Sequence, residues 1–110
     1  MNEPDAISAF AALAQEDRLA AFRLLVAAGP AGMPSGDIAA SLSVAPTRMS
    51  FHLASLERGG LLCARRAGRH IIYTVCYEQV RGLLSFLMQD CCGGRAELCV
   101  VMTDQTGKSA

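Results

Sequence analysis

The spacing of apolar residues changes at Gly59-Gly60, and this break limits the folds open to the chain. Before it, apolar residues recur every three or four positions, as in amphipathic helices. After it, residues 61–67 and 69–76 alternate around Ala67-Gly68 and are rich in branched or aromatic side chains. That pattern predicts a β-hairpin. From Tyr77 the helical spacing returns, and Val80, Leu83, Leu84, Leu87 and Met88 form a broad stripe in a helix running to about Cys91. The expected class is mainly α with one small β-hairpin.

The helical half divides at its breakers. Pro4 suits an early helix position, and Ile7, Phe10, Ala11 and Ala14 predict a first helix over about 4–15. A second begins near Asp17, a good N-cap, carries Leu19, Phe22, Leu25 and Val26 on one side, and stops at Gly29-Pro30. Residues 29–34 have the composition of a loop. Ser35 can cap a short third helix through Leu42. After a turn at 43–45, Pro46 opens a fourth that runs to about Arg58. On this fourth helix Met49, Leu53 and Leu56 face the core. At about 100° per residue, Thr47, Arg48, Phe51, Ser55 and Arg58 form the outward face, with Ser50 and His52 on its flanks.

A chain of 110 residues with 52% hydrophobic content is expected to make one globular domain. No apolar run approaches the roughly 20 residues that cross a bilayer, and no signal peptide is recognisable. The expectation is a cytoplasmic protein, without membrane partners, whose five cysteines are reduced. The net charge of zero hides an asymmetry: residues 46–70 hold five arginines and one acid, while the segments on either side are acidic. The basic middle can meet phosphates or serve as a solvated surface.

A short helix, a tight turn, a longer helix and a hairpin together give the layout of a winged helix-turn-helix. Small polar residues and an arginine near the start of the longer helix suit entry into a major groove. Arg48 can read guanine or hold a phosphate. Phe51 can touch a thymine methyl or pack at the domain surface, and His52 is more often a packing or backbone-bonding residue than a base reader. Arg65, Arg66, Arg69 and His70 at the hairpin tip are placed for phosphates or a minor groove, or else guard a two-stranded edge. The DNA-contact set expected from sequence is therefore Thr47, Arg48, Ser50, Phe51, His52, Arg65, Arg66, Arg69 and His70, on double-stranded operator DNA.

The segment Met49-Ser50-Phe51-His52-Leu53-Ala54-Ser55-Leu56-Glu57-Arg58-Gly59-Gly60-Leu61-Leu62 resembles the recognition-helix signature of the ArsR/SmtB family of metal-responsive repressors. The run Arg65-Arg66-Ala67-Gly68-Arg69-His70-Ile71-Ile72-Tyr73 resembles that family's wing, and Leu13-Ala14-Gln15-Glu16-Asp17-Arg18-Leu19 resembles its second-helix start. The resemblance covers residues 7–88. It implies a homodimer joined through the first and last helices, bound to an operator and released by an inducer.

The cysteines bear on the inducer. Cys91 and Cys92 are adjacent, with Gly93-Gly94 and then Cys99 beyond. Neighbouring Cα atoms sit about 3.8 Å apart, whereas a relaxed disulfide needs roughly 4.4–6.8 Å. Such a pair favours two free thiols that grip one soft ion, with a third thiol brought back over the glycines. The alternative is that Cys91 and Cys92 finish the apolar stripe of the last helix. The segment before the recognition helix, Met33-Pro34-Ser35-Gly36-Asp37-Ile38, has no cysteine, and the last helix has no histidine, so two known sites of the family do not carry over. The C-terminal set is similar to that of an arsenic-responsive subgroup. It implies trivalent arsenic (arsenite) as inducer on Cys91, Cys92 and Cys99, with antimonite as a further soft ligand. Zinc would want a fourth ligand.

The expected domain limits are 1–92 for the winged helix and 93–110 for a tail carrying the third thiol. Two alternatives within the family are an organoarsenical sensor that needs only Cys91-Cys92 and a thiol-oxidation sensor. An enzyme is not expected, because no phosphate-binding glycine loop, no helix N-terminus at a cysteine and no activating partner of Cys91 is visible in sequence. Cys63 and Cys76 are expected as small apolar packers on the hairpin strands. With the hairpin centred on 67–68, Cys63 would face Ile72.

Overall fold

A computed structural model of the chain describes residues 1–89. Five helices and a small sheet alternate as the breakers require. Helix α1 (Glu3–Leu13) has Pro4 in its first turn and Asn2 as N-cap, whose side chain accepts from the Asp5 amide at 2.9 Å. Helix α2 (Glu16–Ala28) is capped by Gln15, which accepts from the Arg18 amide at 2.9 Å, so Asp17 lies inside the first turn and is not the cap. A 3-10 turn (Gly29–Ala31) leads to a two-residue strand β1 (Met33–Pro34), where the composition predicts only loop. Helix α3 (Ser35–Leu42) follows at once, with Pro34 in the cap position expected for Ser35. Ser43, with φ of 55°, turns the chain into α4 (Pro46–Arg58).

Strands β2 (Leu62–Ala67) and β3 (His70–Val75) form the hairpin, and β1 adds to the far edge of β3. The sheet is antiparallel throughout, in the order β1-β3-β2. Ala67 pairs with His70, which leaves Gly68-Arg69 as the turn, and Gly68 takes φ of 64° at its first position. Cys63 consequently pairs with Thr74 and not with Ile72. A slip of two residues keeps every side chain on its expected face but changes its neighbour. Helix α5 (Tyr77–Leu87) starts from Cys76 as N-cap and packs on α1.

The core is centred on α4, from which Met49, Leu53 and Leu56 are fully buried, as their spacing predicts. Leu25, Ile38, Leu61 and Leu62 close around them. Helix α1 departs from expectation. It buries Ala6, Ala9 and Ala12, small residues that allow close approach, and turns Ile7 and Phe10 outward. Gly59 completes this packing, since a Cβ there would lie 2.8 Å from the Ala12 Cβ. On α5 only Leu83 is buried, and Leu84 and Leu87 are exposed.

Tyr73 of β3 is buried, and its phenol pKa is raised above the usual 10.0, first by burial and then by the charge of Glu57. A raised pKa means that the unfolded chain loses this proton first. The contribution is complete below about pH 10 and is lost as pH climbs through the folded value. Alkaline unfolding of the wild type is therefore expected to steepen above about pH 10 relative to Tyr73→Phe, as urea titrations at stepped pH would show.

Candidate nucleic-acid interface

Two helices and the hairpin present the site. Helix α3 packs across α4, and the left-handed Ser43 sets the turn between them. Pro46 at the start of α4 fixes φ where an amide donor has no intrahelical partner, so the helix begins abruptly. Its first turns leave Thr47, Arg48, Ser50 and Phe51 exposed, with Phe51 62% exposed. Arg58 is also exposed at the far end, where its Nη2 donates to Ser55 Oγ at 3.2 Å.

Asp17, which sequence reading treats only as a helix start, reaches α4 from α2. Its Oδ2 lies 3.6 Å from Arg48 Nη2 and 3.6 Å from His52 Nε2. The Arg48 pair is largely solvated and contributes little to stability. It holds the guanidinium at the start of the reading helix, where a phosphate can compete for it.

His52 stands apart from the other expected contacts on α4. It is 7% exposed, lies between α4 and Asp17, and stands edge-on to Phe51 with ring centroids 6.1 Å apart. In the free chain it packs between these elements, the placement that a flank position on α4 also allows. Its position three residues after the buried Met49, next to Leu53, extends the core stripe to one side.

The hairpin carries Arg65, Arg66, Arg69 and His70, all exposed. Arg65 differs from the others, because its Nη2 donates to the Ala31 carbonyl at 3.0 Å across β3. Arg66 lies near the end of β2, an outer strand of the sheet, and Arg69 lies in the turn that follows. Arginines at one end of α4 and on the hairpin suit a polyanion whose phosphates run past both.

Cys63 and Cys76 correct an expectation. They are joined by a disulfide, with Cα atoms 5.3 Å apart, and are not apolar packers. In the observed register Cys76 lies opposite Leu61, whose carbonyl accepts its amide at 2.9 Å, one ladder step diagonal to Cys63. Cys76 also stands at the N-terminus of α5, a placement that sequence reading excludes for any cysteine.

Cys91, Cys92 and Cys99, the expected arsenic ligands, lie outside the described residues, as does the expected boundary at 92/93. Among the described residues no group of three or more His, Cys, Asp or Glu is placed to hold a metal ion. No described helix is long and apolar enough to cross a membrane.

Comparisons with known proteins agree with this geometry. Residues 13–62 match a family model described as a helix-turn-helix domain. The homodimeric winged helix-turn-helix DNA-binding domain of Mb0332 from Mycobacterium bovis, a possible ArsR-family transcriptional regulator, is 30% identical. That match covers 77% of this chain and 76% of that one, with a TM-score of 0.64. An ArsR-like transcriptional regulator from Rhodococcus sp. RHA1 is 24% identical over 94% of this chain and 92% of that one, with a TM-score of 0.71. A structure described as a possible transcriptional regulator for arsenical resistance is 25% identical over 84% of this chain and 91% of that one, with a TM-score of 0.55. No curated protein matches the sequence.

Fold and site together define a winged helix-turn-helix transcriptional regulator, a class of DNA-binding proteins and not of enzymes. The chain belongs to the ArsR family.

Proposed function

We propose that the protein is an arsenite-responsive repressor that binds operator DNA as a homodimer and dissociates when trivalent arsenic binds Cys91, Cys92 and Cys99. The observation that carries the DNA half is the exposed polar start of α4 beside an arginine-bearing hairpin. Support for the dimer comes from Ile7 and Phe10 on α1 and Leu84 and Leu87 on α5, large apolar side chains left exposed on two helices that touch. The arsenic half rests on ligand chemistry. Trivalent arsenic prefers three thiolates, the chain supplies a vicinal pair and a third cysteine over two glycines, and a structural relative is described for arsenical resistance.

In this mechanism each recognition helix enters one half-site, about one DNA turn from its partner. Helix α5 ends at Leu87, four residues before Cys91 in the sequence, so a ligand there would act next to a helix that also joins the two protomers. A coupling of about 1–3 kcal/mol per site is enough to free the operator under competition.

The test begins with selecting a duplex from a randomised library and following its binding by fluorescence anisotropy. Arsenite is expected to release wild-type protein, and Cys91→Ser is expected to bind the same duplex and stay bound. Release that survives in Cys91→Ser would overturn the arsenic assignment. X-ray absorption on the loaded protein separates inorganic from organic arsenic: loss of a sulfur ligand in Cys99→Ser supports arsenite, and an unchanged count supports an organoarsenical.

A further inference from the structure

We infer that Cys63 and Cys76 form a reversible thiol-oxidation site, separate from the C-terminal cysteines, through which a hydroperoxide stiffens the wing. Three observations meet at this pair. The two residues are already juxtaposed by the strand ladder, with Cα atoms at 5.3 Å, so bond formation needs no rearrangement of the fold. Cys63 is exposed on β2, which among the described residues pairs with β3 alone, and is open to solvent reagents. Cys76 is the N-cap residue of α5, half-buried, with its side chain turned to Cys63 and not used in a capping hydrogen bond.

In the oxidation, the Cys76 thiolate attacks one peroxide oxygen. An S–O bond forms, the O–O bond breaks, and the departing oxygen takes a proton to leave as water, or as an alcohol from an organic hydroperoxide. The Cys63 thiolate then attacks the sulfenic sulfur. The S–S bond forms, the S–O bond breaks, and hydroxide leaves as water with a proton. Two thiols and one hydrogen peroxide give one disulfide and two waters, and a dithiol reductant reverses the change.

The bond ties the base of β2 to the first turn of α5. Arg65 and Arg66 follow Cys63 on the same strand, so the bond limits how far the arginine-bearing edge can swing. A wing held in place before it meets DNA loses less freedom on binding.

The experiment uses the full chain with Cys91, Cys92 and Cys99 all replaced by Ser, which removes the proposed arsenic ligands and leaves only this pair. Reduced protein is treated with stoichiometric hydrogen peroxide, then probed by mass spectrometry, by amide hydrogen exchange, and by binding to a mixed-sequence duplex of about 30 base pairs. The expected results are loss of both free thiols with the mass change of one disulfide, recovery with dithiothreitol, slower exchange along β2, and duplex affinity raised by about threefold or more. Cys63→Ser should show neither the exchange change nor the affinity change. Thiols that persist or overoxidise without joining would overturn the site. Equal exchange and an affinity that is equal or lower would overturn the stiffening. A chain that binds no duplex in either state would refute the DNA reading, while exchange along β2 would still decide this one.

Discussion

Gly32→Ala is expected to lose a large part of its folded stability, about 2–6 kcal/mol. Gly32 has φ of 71° and ψ of −169°, a region essentially closed to residues with a Cβ. An added Cβ would also collide with the Tyr73 carbonyl oxygen and with the branched side chains of Ile72 and Thr74. The first of these is backbone in the central strand and cannot yield. Gly29 is the internal control. Its φ is 76°, but nothing lies within 4 Å of a Cβ built there. Gly29→Ala should carry only the backbone cost, and the difference between the two variants isolates the collision with β3. For a domain of this size the fall in Tm for Gly32→Ala should exceed about 10 °C by calorimetry. Equal falls for the two variants would show that Gly32 does not abut β3 as described.

Arg66→Ala combined with Arg69→Ala is expected to weaken duplex binding by roughly tenfold to a hundredfold near 0.1 M salt and to leave stability unchanged. Both residues are exposed on the hairpin, and each phosphate contact contributes about 0.9 to the slope of log affinity against log salt. The slope should therefore fall by about 2, uniformly across DNA sequences, because phosphate contacts carry no base information. Arg65 is left intact in this variant, since its guanidinium is held by the Ala31 carbonyl and its loss would disturb the junction before β1. An unchanged salt slope would remove the hairpin from the interface.

What the sequence reveals of this fold depends on how local each determinant is. Helix α4 is legible from Pro46 to Arg58 because a proline opens it, two glycines follow it, and its buried stripe has clean spacing. Helix α1 is legible as a helix but not in its orientation. Ile7 and Phe10 carry the apolar signal, yet the face that packs is Ala6, Ala9 and Ala12, because small residues let α1 approach α4 at Gly59. Strand β1 leaves no local trace. Two residues with a proline become a strand only because the open edge of β3 pairs with them.

The outward face of α4 and the hairpin arginines are equally readable, since charge and period suffice to place them. His52 is readable only as a choice between packing and base contact, because its 3.6 Å approach to Asp17 comes from another helix. The disulfide turns on the hairpin register. Placing the turn at Gly68-Arg69, and not at Ala67-Gly68, moves each pairing by two and sets Cys76 one diagonal step from Cys63.

Pairing of Met33 with Tyr73 and of Pro34 with Ile72 has a mechanical result. Because α3 begins at the next residue, the central strand of the wing is bonded to the segment that launches the reading helices. Each reading head and its wing are therefore tied to move like the rigid arm of a lever. In a dimer on one duplex, the two arms must match a spacing of about 34–36 Å. A twist at the base of such an arm displaces helix and wing together. Flexible joints would absorb such a twist, whereas a rigid connection passes it on, so helix and wing would leave a half-site together.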